Sequence, residues 1–221
     1  MRYNIYLVRH GQTILNRYGR MQGWCDSPLT TKGRTDAHST GDNLAHINFN
    51  YAFSSDTKRA RETCKIIVAE NKATQGDLSP RSLHYFREQK YGYFEGCDSK
   101  QAWLMIGASH NCKSFKEIIK NYSIEQARDF AKSADPFHEA ENNLEFWNRL
   151  NQGFNYLDEV AENNDNILLV SHGTTIRSIV HHFDSNIDIS VSPSNGSVTK
   201  LVCSSGKIEV AYFNRYDKRK Y

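Results

Sequence analysis

Short apolar runs recur along the chain at residues 4–8, 51–54 and 166–171, and each leads into a polar stretch with apolar positions at helical spacing. Ile-Leu-Leu-Val at 167–170 is continuous, which suits a central parallel strand covered on both faces. The stretch 33–47 follows Thr30 and Thr31, either of which can cap a helix. The stretch 57–71 carries Ala60, Cys64, Ile67 and Val68 on one side, and 174–183 carries Ile176, Ile179 and Val180. Strands alternating with helices predict an α/β fold, a three-layer sandwich whose mainly parallel central sheet has helices on both faces. Residues 99–135 break this rhythm. They are helical in tone, rich in Lys, Asn and Gln, and lie between Gly96 and Pro136. They predict a helical, cap-like insertion over the site at about 97–136, within one domain spanning 1–221. A helix over 137–163 is expected to lead into the run at 166–171. The tail, 197–203 and 207–213 around Ser204-Ser205-Gly206, reads as a hairpin.

Composition narrows the partners. The 221 residues suffice for one filled core, and 38% hydrophobic residues are too many for a disordered chain. A net charge of +3 with no Lys/Arg stripe argues against nucleic acid. The one basic cluster, Lys218-Arg219-Lys220, reads as a solvated tail. The first residues contain no long apolar core of a signal peptide, and no stretch approaches the ~18 apolar residues of a membrane span. Five cysteines without a CxxC pair fit reduced thiols. A cytoplasmic protein is expected. No heptad or long apolar helix face speaks to oligomeric state.

In an open α/β sheet, ligands sit outside the carboxyl ends of the strands. Just past the three strand ends stand Arg9-His10-Gly11, Thr57-Lys58-Arg59-Ala60-Arg61 and Ser171-His172-Gly173. One histidine at a strand end is more often structural than catalytic. Two strand ends both reading His-Gly, with arginines beside them, shift that balance toward a phosphoryl site, because equatorial oxygens require several fixed donors. Neither histidine lies at i, i+4 from another and no carboxylate flanks either, so no metal site is expected.

The motifs resemble those of the histidine phosphatase superfamily, the phosphoglycerate mutase-like family. LVRHGQT at 7–13 is similar to its signature, RMQGWCDSPLTTKG at 20–33 to the following loop, and SSDTKRARET at 54–63 to the segment with the second arginine. FREQKYGYFEG at 86–96 resembles the acid segment, VSHGTTIR at 170–177 the second histidine, and SNGSVTKL at 194–201 the closing strand. Their order along most of the chain makes chance similarity improbable. The resemblance implies that His10 is a nucleophile that becomes phosphohistidine. Its other ring nitrogen is then expected to donate a hydrogen bond that sets the tautomer. Arg9, Arg59 and His172 are implied as phosphate ligands, with Asn16 and the Gly173 amide as further donors. No metal or other cofactor is implied, since cationic side chains take the place of metal ions. Glu88, four residues before Gly92, matches the general acid that later serves as base, whereas Glu95 matches a structural position. Arg61, two positions beyond Arg59, is expected on the helix surface.

Within the family, mutases carry an arginine after the acid and paired arginines in the insertion. Here Gln89 follows Glu88, and the insertion holds only Arg128 and scattered lysines, Lys100, Lys113, Lys116, Lys120 and Lys132. A phosphomonoester hydrolase on a small phosphorylated metabolite is therefore expected. The alternatives are a cofactor-dependent phosphoglycerate mutase and a non-catalytic phosphate-binding module. Trp24, Tyr91, Tyr93, Phe94 and Trp103 are the aromatics best placed by sequence to line a roof over the site, or to pack beneath the insertion.

Overall fold

The computed structural model describes residues 1–216; the basic cluster Lys218 to Lys220 lies outside them. Strand β1 (Arg2–Arg9) sits at the middle of the sheet with β2 (Tyr51–Ser54), β3 (Arg81–Ser82), β4 (Asn166–Ser171), β5 (Val198–Ser204) and β6 (Lys207–Arg215). Their order is β3-β2-β4-β1-β5-β6. β1, β2, β3 and β4 pair in parallel, and β5 runs antiparallel to both its neighbours. The two-residue β3 has no apolar run behind it and was not expected.

Successive residues of a strand face opposite sides, so one register serves two cores. Ile5, Leu7, Ile167 and Leu169 meet Phe146, Leu150, Phe154 and Leu157 of α7 (Asn143–Val160) and Ile176, Ile179 and Val180 of α8 (Gly173–Phe183). Tyr6, Val8, Leu168 and Val170 meet Leu44 of α2 (Thr31–Leu44) and Ala60, Cys64 and Ile67 of α3 (Lys58–Glu70). This is the expected three-layer arrangement. Thr30 rather than Thr31 caps α2, accepting from the Gly33 amide at 3.0 Å. A short α1 (Ile14–Arg17) follows the first strand end.

Residues 99–134 form α4 (Ser99–Gly107), α5 (Phe115–Asn121) and α6 (Ile124–Ala134), which close a third core around Tyr91, Phe94, Trp103, Ile106 and Ile118. The helix expected over 137–163 is shorter and starts at Asn143. Asn142 accepts from the Glu145 amide at 2.8 Å, and Glu145 reaches back to the Asn142 amide at 2.9 Å. That reciprocal cap terminates the helix. Upstream, the Asp135 carboxylate gathers the amides of Phe137, Glu139 and Ala140 into a loop instead.

Candidate active site

The parallel register of β1 and β4 sets Arg9 against Ser171, so the residues that follow emerge side by side. The His10 amide donates to the Ser171 carbonyl at 3.0 Å, and the rings of His10 and His172 lie 5.1 Å apart. His10 Nδ1 is 2.8 Å from the Gly11 carbonyl oxygen. A carbonyl only accepts, so Nδ1 carries the proton and Nε2 keeps its lone pair. Burial, and then the neighbouring charges of Arg59 and Arg9, holds the His10 pKa well below that of a free imidazole. The ring is therefore a neutral base at physiological pH. A Cβ on Gly11 would fall 2.2 Å from the Gly33 carbonyl oxygen, so glycine is required for the start of α2 to close on the His10 loop.

Among the described residues, three buried nitrogens around His10 have no hydrogen-bond partner: Arg9 Nε, Arg59 Nε and His172 Nδ1. Unpaired buried donors are rare because each forfeits its hydration, and grouped together they suit an anion. Arg9 is otherwise held by Ser192 Oγ and the Pro193 carbonyl. His172 Nε2 meets Ser55 Oγ at 2.6 Å. Its pKa too lies well below the usual value, through burial and then the charge of Arg59. Arg59 is fully buried, and its terminal nitrogens hold the 23–26 loop through the carbonyls of Gly23 (2.6 Å) and Cys25 (2.9 Å) and the Asp26 carboxylate (3.0 Å). Arg61 is exposed on the surface of α3.

Arg9, His10, Asn16, Glu88 and Gly173 line one cavity of about 360 Å³; Arg59 and His172 do not line it. Asn16 completes a reciprocal cap with Thr13, and its Oδ1 lies 3.4 Å from Nδ2 of Asn195, which also donates to the His10 carbonyl at 2.9 Å. Gly173 opens α8, so its amide lies at the positive end of the helix. Its missing side chain matters, since a Cβ would stand 3.2 Å from Arg9 Nε.

The two candidate carboxylates have different surroundings. Glu88, buried in the cavity wall, accepts from the amides of Thr174 (2.8 Å) and Thr175 (2.9 Å) in the first turn of α8 and from the Thr175 hydroxyl (2.9 Å). These contacts aim the carboxyl group at the cavity that His10 faces. Arg149 supports this segment from α7, paired with Glu141 at 2.8 Å and donating to the carbonyls of Tyr85, Arg87 and Glu88. Glu95 lies outside the cavity lining. It accepts from four backbone amides, those of Gly23, Trp24, Cys25 and Tyr91, at 2.8 to 3.1 Å. Glu95 thus pins the loop that Arg59 holds from the other side. Glu95→Gln would set an NH2 group against those amide donors, so a loss of about 1–3 kcal/mol is expected in thermal or urea unfolding. Turnover is expected to fall less than in Glu88→Gln.

Of the expected roof aromatics, Tyr91 and Trp103 line the cavity; Phe94 is buried in the third core, and Trp24 and Tyr93 are partly exposed elsewhere. Phe115 and Arg177 line it too, together with Arg20 at its edge, and sequence reasoning singled out none of them. Arg177 was present in the VSHGTTIR segment, but nothing local distinguished it from a surface charge. None of the insertion's lysines lines the cavity.

A neutral imidazole with a free ring nitrogen, unpaired buried nitrogens and a carboxyl group lie together at the ends of parallel strands, and residues 5–215 match the histidine phosphatase superfamily (branch 1). The chain belongs to that superfamily, whose members are enzymes acting on small phosphorylated substrates. Its fold superimposes on a phosphoglycerate mutase of Bacillus anthracis with a TM-score of 0.91 at 32% identity, covering 98% of this chain and 95% of that one. A 2,3-bisphosphoglycerate-dependent phosphoglycerate mutase of Gloeobacter violaceus is 28% identical over 81% of this chain and 75% of its own length. The fructose-2,6-bisphosphatase TIGAR of Xenopus tropicalis is 33% identical over 59% of this chain and 48% of its own length. Among the described residues, no helix is long and apolar enough to cross a membrane.

Proposed function

We propose that this enzyme hydrolyses a phosphomonoester of a small metabolite through a phosphohistidine on His10. The reading is carried by the tautomer of His10, whose Nδ1 is spent on the Gly11 carbonyl while Nε2 stays free in the same cavity as Glu88. Nε2 attacks phosphorus in line, and the bond to the leaving oxygen breaks as Glu88 delivers its proton to that oxygen. Glu88 then takes a proton from water, whose oxygen attacks the phosphohistidine, and the P–N bond breaks to release inorganic phosphate. Arg9, Asn16 and the Gly173 amide in the cavity wall, with the unpaired Nε of Arg59 and Nδ1 of His172 behind them, carry the charge on the phosphoryl oxygens, the task that metal ions perform in other phosphoryl-transfer sites.

Hydrolysis is favoured over transfer back to the substrate because residues 97–136 bring only Ser99, Trp103 and Phe115 to the cavity, and no cation. A mutase must retain its phosphorylated partner against exchange with water. The likeness to phosphoglycerate mutases supports that second reading. Phosphate release should be assayed in chelator with an aryl phosphate, 3-phosphoglycerate, fructose bisphosphate, phosphoserine and α-ribazole phosphate. Release that chelator leaves unchanged is expected. Isomerisation of 3-phosphoglycerate primed by bisphosphoglycerate, with no phosphate released, would establish the mutase instead.

A further inference from the structure

Residues 194–197, Ser-Asn-Gly-Ser, form a turn just ahead of β5 that is fastened to the strand carrying His10. The Gly196 amide donates to the Arg9 carbonyl at 2.9 Å, and the Arg9 amide donates back to the Ser197 carbonyl at 3.1 Å. Gly196 takes a φ of +75°, and its carbonyl accepts from the Thr40 hydroxyl at 2.6 Å. From this fixed turn Asn195 reaches the cavity wall. Its Nδ2 lies 2.9 Å from the His10 carbonyl oxygen and 3.4 Å from Asn16 Oδ1. A carbonyl only accepts, so the NH2 end of Asn195 faces it, and the two protons of that NH2 suit the two acceptors. The same logic fixes Asn16. Its Oδ1 meets the Thr13 amide at 3.2 Å, and a backbone N–H only donates. Among the described residues, no hydrogen bond engages the NH2 of Asn16, whose side chain lines the cavity. The His10 carbonyl and the Gly11 amide belong to one peptide group, and that amide donates to Thr63 Oγ1 at 3.0 Å. Asn195 and Thr63 thus hold the two ends of one planar unit, which cannot turn without breaking a bond.

We infer that Asn195 is a positioning residue for phosphoryl transfer that acts through two neighbours. It fixes the peptide that follows the nucleophile, and it turns the NH2 of Asn16 toward the phosphoryl oxygens. That role rests on reading His10 as the nucleophile and Asn16 as a phosphoryl donor. Both Nδ2 protons of Asn195 are spent on these contacts, so neither is left for the substrate. Without Asn195 the backbone under His10 is held at the Thr63 end alone, and Nε2 loses its fixed line of attack; a misplacement of about 1 Å can cost about 10²-fold in rate. Asn16, with one of the two donors to its oxygen gone, is freer to turn that oxygen toward the anion, where it repels. The two effects fall on different quantities: anion affinity through Asn16, and the rate of phosphoryl transfer through His10.

Inorganic phosphate and an aryl phosphate read the two effects separately. Dissociation constants for inorganic phosphate should be measured by calorimetry on the parent, Asn16→Ala, Asn195→Leu and the double variant. Leucine keeps the shape of asparagine and cannot donate. Asn195→Leu is expected to weaken phosphate about 3-fold or more in the parent but no more than about 1.5-fold in the Asn16→Ala background, the non-additivity of residues that act as a unit. The single-turnover rate of His10 phosphorylation by saturating aryl phosphate is expected to fall about 10-fold or more on Asn195→Leu in both backgrounds. A merely structural Asn195 would lower the melting temperature and weaken phosphate equally in both backgrounds. Equal weakening, unchanged affinity in the parent background, or an unchanged phosphorylation rate would therefore overturn the assignment. Melting curves establish that each variant is folded; Asn195→Ser, too short to span both acceptors, takes the place of Asn195→Leu if that variant is not. A parent enzyme that forms no phosphohistidine would overturn the positioning role and the mechanism together. Phosphohistidine that forms but passes to a second ester without release of phosphate would refute the hydrolase reading alone and leave these results standing.

Discussion

His10→Gln protein is expected to lose at least about 10⁴-fold in kcat while keeping its fold and its affinity for phosphoesters to within a small factor. The size follows from the lack of a substitute. Among the described residues, the imidazole beside His10 is that of His172; its Nε2 is bonded to Ser55, and it does not line the cavity. Among the described residues, the hydroxyls lining the cavity, on Tyr91, Ser99, Thr174 and Ser192, have no hydrogen-bonded imidazole or carboxylate to activate them; those of Thr174 and Tyr91 meet each other. Acid-labile labelling of His10 by a phosphodonor, seen by mass spectrometry in the parent and absent in the variant, checks the intermediate directly. The same argument has a pH consequence. Because burial and the adjacent guanidinium charges depress the pKa of His10, the neutral, nucleophilic form persists through pH 6.5, where a free imidazole would be half protonated. The His10 ring resonances are therefore expected to show no protonation step between pH 8 and 6. A step near 6.5 would contradict the nucleophile assignment.

Glu88→Gln is expected to lower kcat by about 10²-fold or more, with the greatest loss on esters whose leaving alcohol is poor. An amide cannot deliver the proton that the departing oxygen requires, nor take one from water afterwards. An aryl phosphate departs without much protonation, so its first step should be spared while hydrolysis of the phosphohistidine slows. A burst of aryl alcohol ahead of steady turnover would reveal this, and chemical rescue of the slow step by an added nucleophile would support it. If Glu95→Gln proves the more damaging for turnover, the acid has been assigned to the wrong carboxylate. The geometry argues otherwise, because Glu88 lines the cavity with His10, whereas Glu95 lies outside that lining and holds the amides of the 23–25 loop and Tyr91.

What could be read before the structure was whatever leaves a local mark. The runs at 166–171 and 4–8 are apolar on consecutive positions because both faces of a central strand are covered, and that pattern needs no knowledge of the partner. Arg9, His10 and Gly173 could be placed in the cavity wall for the same reason, since each lies at or just past a legible strand end, whereas Phe115 and Arg177 left no such mark. Helix ends were less legible. The Asn142–Glu145 cap competed with an apolar pattern that continued upstream, and only the gathering of backbone amides by Asp135 shows why residues 137–142 do not join α7.

The sequence by itself determined the layered α/β fold and the pairing of His10 with His172 at one end of the sheet. Tertiary structure alone decided that Arg59 holds the 23–26 loop, that Phe115 rather than Trp24 walls the cavity, and that Arg177 is buried there. Strand periodicity and short motifs arise from neighbours in the chain, so sequence carries them. Which carbonyl meets a guanidinium, or which ring roofs a cavity, depends on segments brought together from far apart in the chain, and no local pattern encodes that.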